Sequence, residues 1–136
     1  MSGLVLDASV ALSWVLPDES NARADAVLER LEAEPVFVPQ LWTLEISNAL
    51  LAAERRGRIG EAQVQRGLTA LLALPISVET AEAAQVFAST LALARQHGLS
   101  VYDAAYLDLA IRLALPLATL DGNLARAARK SGVEVV

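Results

Sequence analysis

The chain has 136 residues, of which 54% are hydrophobic, and it carries a formal net charge of −5. This length and composition predict one domain, residues 1–136, with a core that needs no disulfide or structural metal. Because cysteine is absent and His97 is the single histidine, thiolate zinc sites and multi-histidine sites are excluded, and any metal ligands must be oxygen atoms. The negative charge argues against a general nucleic-acid coat protein.

Signals for export or membrane insertion are missing from the sequence. The apolar runs are shorter than the about 20 residues that a membrane-spanning helix needs. The N-terminus lacks the basic flank and the long apolar stretch of a signal peptide. We therefore expect a cytoplasmic protein with no membrane contact.

Short apolar runs alternate with segments of helical periodicity. The first run, Leu4 to Leu6, lacks polar alternation, which is typical of a strand buried on both faces of a parallel sheet. Similar runs at 36–38, 76–78 and 117–120 are predicted strands, and 133–136 is a candidate closing strand. Apolar residues at helical spacing predict helices over 20–32, 41–56, 61–74, 80–97, 101–115 and 124–130. Strands alternating with helices indicate an α/β sandwich.

Glycine and proline mark several of the predicted ends. Gly98 and Gly132 suit the left-handed conformation that terminates a helix. Pro39 is expected to end the second strand, and Pro116 to separate the fifth predicted helix from the strand after it. No internal repeat or linker interrupts the pattern, in keeping with one domain.

Two aspartates directly follow predicted strands. Asp7 comes after the run 4–6, and Asp121 comes after the run 117–120. Ligand crevices of open parallel sheets lie outside the carboxyl ends of the strands, so both acids point into one crevice if those strands are neighbours. Each acid also has a structural interpretation, because Asp7 suits the start of a helix and Asp121 suits a turn.

A third acid, Glu45, lies within a predicted helix, where residues three or four positions apart share a face. It shares a face with Leu41, Trp42, Asn48 and Ala49, and this face is predicted to be buried. A buried carboxylate is costly unless it is paired or bound to a cation. No Arg or Lys lies within a turn on this face, so Glu45 is either a site residue or the partner of an arginine from elsewhere in the chain.

The fourth acid, Asp103, stands three residues after Ser100, at the spacing of a helix-capping box. It is interpreted as a helix-start residue, a site residue or both, because a first-turn acid points out of the end of the helix. Asp108 lies five positions further on, about 140° around the helix. Asp108 is therefore predicted to be a separate, solvated acid.

Gathered together, Asp7, Glu45, Asp103 and Asp121 form a predicted carboxylate cluster. Two unit charges about 4 Å apart repel by roughly 4 kcal/mol at an effective dielectric of about 20, so a cation must compensate. Oxygen ligands select hard ions such as Mg²⁺ or Mn²⁺, which bridge carboxylates to phosphates. The cluster thus predicts phosphoryl chemistry by metal-assisted hydrolysis, without a covalent enzyme intermediate.

Four stretches in this order resemble the PIN-domain nucleases: LVLDAS at 4–9, LEISNAL at 44–50, YDAAYL at 102–107 and ATLD at 118–121. Within that superfamily, the short length and the context of Glu45 resemble the VapC toxins of bacterial toxin–antitoxin pairs. The resemblance implies a three-layer α/β sandwich with a mostly parallel central sheet flanked by helices. It also implies an RNA substrate and a Mg²⁺ or Mn²⁺ cofactor.

Carried over by position, the resemblance gives a catalytic and metal-binding set of Asp7, Glu45, Asp103 and Asp121. Ser9 and Thr119 become supporting hydroxyls near the first carboxylate, and Asn123 becomes an additional polar group at the site. The resemblance further implies a homodimer and an antitoxin whose C-terminal segment covers the acidic crevice.

A basic group and two tryptophans have more than one interpretation. Arg55, Arg56 and Arg58 end the second predicted helix. They either complement the negative end of that helix with solvated tips or contact RNA or a partner protein. Trp14 and Trp42 are interpreted as core or interface residues rather than base-stacking platforms.

Other classes of protein with acidic pockets fit less well. A phosphoacceptor receiver domain needs a lysine at a late strand end, whereas Lys130 ends a helix. A haloacid-dehalogenase phosphatase needs Asp-x-Asp after the first strand, where this chain has Asp7-Ala8-Ser9. The remaining alternative is a catalytically weak PIN fold that acts as a protein-binding module, and metal-dependent turnover would distinguish it from an enzyme.

Overall fold

A four-stranded parallel sheet forms the centre of the molecule in the computed structural model, which describes residues 2–136. Its strands are β1 (Leu4–Leu6), β2 (Val36–Pro39), β3 (Ile76–Glu79) and β4 (Leu117–Ala118). The spatial order is β3-β2-β1-β4, and each neighbouring pair is parallel. All connections between strands are therefore crossovers, as the alternating sequence pattern predicts.

Helices flank this sheet, so the predicted three-layer α/β sandwich is confirmed. They are α1 (Ala8–Val15), α2 (Ala22–Arg30), α3 (Leu41–Arg55), α4 (Glu61–Leu72), α5 (Ala83–Gln85), α6 (Leu91–His97), α7 (Val101–Leu113) and α8 (Gly122–Lys130). A π-helical turn, Val86–Thr90, joins α5 to α6. Over residues 2–136, no helix has both the length and the apolar character that crossing a membrane requires.

The core is built around β1, which lies between β2 and β4. Leu4 pairs with Val36, and Leu6 pairs with Ala118. All three residues of β1 are 0% exposed, which explains why the strand lacks polar alternation. A Leu→Ala substitution here is expected to cost about 2–5 kcal/mol of folding free energy. The strand that carries Asp7 at its carboxyl end is thus held firmly in place.

The outer strands differ from the predictions. β3 pairs only with β2, and Val78 on it is 48% exposed, so the expectation of burial on both faces is wrong at this edge. β4 ends at Ala118 instead of Leu120. The candidate closing strand at 133–136 is reduced to a single parallel bridge between Leu117 and Val135. A strand with one short partner has too few hydrogen bonds to extend further.

Two helical segments also depart from the sequence pattern. α1 follows β1 with only Asp7 between them, although helical periodicity did not predict a helix there. The predicted helix 80–97 is divided by the π-helical turn, a feature that is frequent at functional sites. Gly98, at φ 66°, ends α6 as predicted. α7 ends at Ala114, a non-glycine residue with φ 56°.

Candidate active site

Two acids meet at the carboxyl ends of neighbouring strands. The backbone N–H of Asp7 donates to the carbonyl oxygen of Ala118 at 2.9 Å, which continues the β1–β4 pairing past the end of β1. Asp121 follows β4 after a short turn and caps α8, where its Oδ1 accepts from the backbone N–H of Asn123 at 3.0 Å. The charge of Asp121 helps to raise the pKa of Asp7. The parallel pairing therefore brings both predicted acids to the same edge of the sheet.

Asp7 is buried, with 6% of its surface exposed. Its Oδ2 accepts from Ser9 Oγ at 2.8 Å and from Thr119 Oγ1 at 2.7 Å. Burial raises the pKa of Asp7, the bonds from Thr119 and Ser9 partly oppose this, and the charge of Asp121 adds to it. The carboxylate is thus fixed in orientation, and no cation of residues 2–136 forms an ion pair with it.

The two hydroxyls also fix the turn between the acids. The backbone N–H of Leu120 donates to Ser9 Oγ at 3.0 Å, and that of Asp121 donates to Thr119 Oγ1 at 3.0 Å. Thr119, which is 1% exposed, therefore donates to one acid and accepts from the backbone of the other. This geometry sets the separation between Asp7 and Asp121.

Glu45 reaches the site from α3 and is held by Tyr106. The Tyr106 hydroxyl donates to Glu45 Oε1 at 2.5 Å, and Tyr106 is 0% exposed. Burial raises the pKa of Glu45, the bond from Tyr106 partly opposes this, and the charges of Asp7 and Asp103 add to it. Burial, followed by the bond to Glu45, raises the pKa of Tyr106 as well, so the phenol keeps its proton and remains a donor.

The predicted buried face of α3 requires a correction. The fully packed face runs through Trp42, Ile46 and Leu50, while Glu45 is half-buried beside it and Asn48 is exposed. The partner of Glu45 is a tyrosine from α7, not an arginine. Sequence reasoning missed this residue, although Tyr106 lies three positions after Asp103 and so shares its side of the helix.

Asp103 stands in the first turn of α7. The helix begins at Ser100, whose Oγ accepts from the backbone N–H of Asp103 at 3.0 Å, as the capping spacing predicts. Asp103 is half-buried. Burial raises its pKa most, the charges of Asp121 and Asp7 raise it further, and Ser100 lowers it. Asp103 therefore caps a helix start and belongs electrostatically to the acid group.

Asp7, Glu45, Asp103 and Asp121 are called the acid cluster below. Their donor chemistry fits a hard divalent ion, because all their ligand atoms are oxygens. Burial first, and then the charges of neighbouring acids, raise the pKa values of three members, and a bound cation would favour their ionised forms. Within residues 2–136, no group of three or more acidic or histidine side chains is tight enough to hold a metal ion. Binding of one ion by three of these carboxylates would therefore require their side chains to move closer together.

The arginines proposed for RNA or partner contact lie apart from the acid cluster. Arg55 ends α3 ten residues after Glu45, about 15 Å along the helix axis. Arg55 and Arg56 are exposed. Arg58 pairs with Asp18, at 2.5 Å from Nη2 to Oδ1, and lies 3.7 Å from Glu19. Arg58 is thus engaged in an ion pair within the chain.

Asn123 and the tryptophans occupy different settings. Asn123 is exposed on α8, and its Oδ1 accepts from Arg126. Trp14 donates from Nε1 to the carbonyl oxygen of Ala24 at 2.7 Å, while Trp42 is 6% exposed. Both rings pack against the core, in keeping with their interpretation as core residues.

The prediction that Asp108 is solvated is wrong. Asp108 is 1% exposed and sits where α7 packs against the π-helical turn. Its carboxylate accepts hydrogen bonds from Gln85 Nε2 at 3.2 Å, Ser89 Oγ at 2.8 Å and Thr90 Oγ1 at 2.9 Å. Arg112 Nε lies 3.6 Å away. Asp108 is indeed separate from Asp103, but its role is to join two helical segments.

The chain is similar to known proteins along nearly its whole length. The PIN domain family model matches residues 4–130. "Ribonuclease VapC3" from Pyrobaculum aerophilum is 33% identical over 122 residues, which cover 90% of this chain and 92% of that protein.

Solved structures show the same fold. PAE2754 from Pyrobaculum aerophilum superposes with a TM-score of 0.73 at 27% identity, covering 98% of this chain and 83% of that one. A toxin–antitoxin complex from Klebsiella pneumoniae gives a TM-score of 0.64 at 19% identity, covering 98% and 96%. The chain therefore belongs to the PIN-domain family and, within it, to the VapC type.

Proposed function

We propose that residues 1–136 form a single metal-dependent endoribonuclease domain that hydrolyses RNA phosphodiester bonds, with Mg²⁺ or Mn²⁺ as cofactor. The observation that carries this proposal is the acid cluster itself. The charges of Asp7 and Asp103 act on Glu45, and those of Asp121 and Asp7 act on Asp103. Among residues 2–136, no arginine or lysine contributes to the pKa shifts of Asp7, Glu45 or Asp103. The ribonuclease name of the relative from Pyrobaculum aerophilum supports the same reaction.

The acid cluster suits phosphodiester chemistry because charge builds up on phosphate oxygens during the reaction. A divalent ion held by Asp7, Glu45, Asp103 and Asp121 would neutralise this charge and would activate a water for attack on phosphorus. The chain's own contribution is to keep the ligands oriented. Carboxylates alone would repel both each other and the substrate, so the site functions only with its cation.

Two of the four proposed ligands are held by side-chain hydrogen bonds. Ser9 and Thr119 hold Asp7, and Tyr106 holds Glu45. Such partners of metal ligands fix their orientation, and removing one typically lowers metal affinity about 10–100-fold. Asp103 and Asp121 lie at helix starts facing the crevice, and they are the candidates for orienting the attacking water.

We also propose that the chain is the toxin of a type II toxin–antitoxin pair and forms a homodimer. Membership of the VapC type supports both statements. An antitoxin segment that covers the crevice with a basic side chain would supply the charge that the acid cluster lacks. Such a partner would inhibit cleavage by taking the place of the divalent ion.

The experiment is cleavage of a panel of purified RNAs in Mg²⁺ or Mn²⁺ by the wild type, Asp7→Asn and Asp103→Asn. Asp25→Asn is the matched control, because it makes the same change at an exposed position on α2. We expect the wild type and the control to cut RNA, with loss of cutting in EDTA and in both site variants.

Equal cutting by all four proteins would mean that the activity is a contaminant and would refute the proposal. If the wild type binds Mn²⁺ but cuts no RNA, the protein is instead a binding module with a PIN fold. The calorimetric Mn²⁺ titration that separates these cases uses the same four preparations.

A further inference from the structure

A second polar cavity, of about 430 Å³, lies between the end of α6 and the exposed side of α8. Its size falls within the roughly 300–1,000 Å³ of typical ligand sites. Gln96, His97, Asn123, Arg126 and Lys130 supply its polar lining. Of the residues that the structure describes around this cavity, none is acidic. The cavity is therefore basic, in a chain whose net charge is −5.

Two segments of the chain connect the cavity to the acid cluster. On one side, Gly98 of the cavity wall is followed two residues later by Ser100, which starts the helix of Asp103. On the other side, Asn123 lines the cavity while its backbone N–H donates to Asp121. The same two chain segments thus form the wall of the cavity and deliver two of the four acids.

The cations of this cavity are not neutralised within the described chain. Among residues 2–136, the ion pairs are made by Arg30, Arg58 and Arg112. Arg126 donates to the neutral amide of Asn123. Arg126 and Lys130 are four positions apart on α8, so their like charges face each other and repel. An anion bound between them would remove this repulsion.

His97 is held in a defined orientation on the cavity wall. Ser131 Oγ donates its one proton to the carbonyl oxygen of Ala127 at 2.9 Å, so His97 Nε2, 3.2 Å from the same Oγ, is the donor in their contact. The imidazole therefore bridges α6 to the end of α8. Together with Gln96 and Asn123, the imidazole of His97 gives the cavity hydrogen-bonding groups in addition to its two flexible cationic side chains.

We propose that this cavity is a subsite for a backbone phosphate of single-stranded RNA, adjacent to the phosphodiester that the acid cluster cleaves. The inference rests on the proposed ribonuclease function and adds the place at which a neighbouring phosphate of the substrate binds. Lys and Arg give the point charge and the forked donors that phosphate recognition requires. A polyanion approaching an acidic protein needs such local compensation.

RNA is favoured over an acidic peptide because of the cavity's position. Any extended substrate whose scissile phosphate lies at the acid cluster must continue past Asp103 or Asp121, and the cavity wall continues from both. Binding of an acidic peptide would not require the cavity to lie next to the acid cluster. Competition by an acidic peptide at equal charge is therefore included as an arm of the test.

The test compares two double variants of equal charge change. Arg126→Gln/Lys130→Gln removes both cavity cations, and Arg95→Gln/Arg129→Gln removes two exposed cations from α6 and α8 that do not line the cavity. Both pairs are placed in the Asp7→Asn protein so that RNA is not cut. Binding of a short fluorescein-labelled single-stranded RNA is followed by anisotropy over a range of KCl concentrations.

We expect the cavity variant to lose two phosphate contacts. The slope of log affinity against log salt should then fall by roughly 1.4, at about 0.7 per contact on a single strand. Taking about 1 M as the salt concentration at which the electrostatic contribution vanishes, this corresponds to about 25-fold weaker binding near 0.1 M. The control variant should keep most of the parent's slope, and the acidic peptide should not displace the RNA.

Equal slopes for the cavity and control variants would overturn the subsite, as would displacement by the peptide. Absence of RNA binding by the Asp7→Asn parent would also overturn it, since phosphate contacts to these cations do not depend on the metal. Failure of the proposed function is recognised separately, because it is judged on RNA cleavage by the wild type in Mg²⁺. If the cavity and control variants have equal slopes while the wild type cuts RNA, only the subsite is refuted.

Discussion

Asp7 and Asp108 are both almost completely buried, with 6% and 1% of their surfaces exposed, yet their surroundings differ. Asp108 accepts bonds from Gln85, Ser89 and Thr90 and has Arg112 nearby. Asp7 accepts from two hydroxyls and is otherwise near other acids. Asp108 therefore has several donors and a nearby cation, whereas no cation of residues 2–136 forms an ion pair with Asp7.

This difference separates a structural acid from a site acid more clearly than burial does. A buried carboxylate with several donors and a cation needs nothing further. A buried carboxylate held by neutral hydroxyls among like charges is stable only if its charge is removed by a proton or compensated by a cation.

Asp7→Asn should lower metal-dependent RNA cleavage by more than about 100-fold, since even partners of metal ligands account for 10–100-fold in affinity. The same variant should melt no lower than the wild type in EDTA at neutral pH, because a buried uncompensated charge has been removed. Cleavage assays and thermal melts measure the two effects. Retained cleavage, or a large loss of stability without metal, would place Asp7 with the structural acids.

Tyr106→Phe should weaken Mn²⁺ binding about 10–100-fold while leaving the fold intact, because Glu45 loses the donor that orients it. Tyr102→Phe is the matched control, since Tyr102 lies on the same helix and is 67% exposed. Calorimetric titration with Mn²⁺ and circular dichroism measure the two properties. Equal Mn²⁺ affinities for the two variants would show that Tyr106 does not position Glu45.

Asp108→Asn should show the opposite behaviour to Asp7→Asn. It should lower the free energy of unfolding by about 1–3 kcal/mol, because buried donors lose a charged acceptor. Cleavage per folded molecule should change little. Urea unfolding and activity at a temperature where the variant is folded test both statements, and loss of activity without loss of stability would contradict them.

The smallest effect expected is a pH dependence of stability. The pKa values of Asp7, Glu45 and Asp103 are higher in the folded protein than in the unfolded chain. At a pH between the unfolded-chain pKa and the folded-protein pKa of each group, the folded state therefore binds more protons. These groups therefore destabilise the fold as pH rises through that interval. In EDTA, Tm should rise as pH is lowered from neutral, and less steeply in Asp7→Asn. A Tm that falls steadily over the same range would contradict the raised pKa values.

Local sequence information was sufficient for the strand-end and helix-start acids. Asp7 directly follows a short apolar run that can only be a buried strand in this pattern, and Asp103 stands at capping distance from Ser100. Their convergence follows from the parallel order of the strands, which the alternating pattern also predicts. The chemistry of the acid cluster is therefore predictable once the fold class is known.

The partners of these acids depend on contacts between distant segments. Tyr106 meets Glu45 across 61 positions, and Thr119 meets Asp7 across 112. The periodicity of apolar residues does not predict which side chains from distant segments meet, although the family resemblance implied a role for Thr119. Asp108 was misassigned for the same reason, because its donors come from the π-helical turn, an irregularity that an apolar repeat does not reveal.

The most direct test is RNA cleavage in Mg²⁺ by the wild type, Asp7→Asn and Asp108→Asn, measured side by side and corrected for the folded fraction. Two isosteric changes at two buried aspartates then differ only in the surroundings of the carboxylate. We predict that Asp108→Asn cuts RNA nearly as fast as the wild type and that Asp7→Asn does not cut. Equal losses in both variants, or cutting by Asp7→Asn, would contradict the assignment of the acid cluster as the active site.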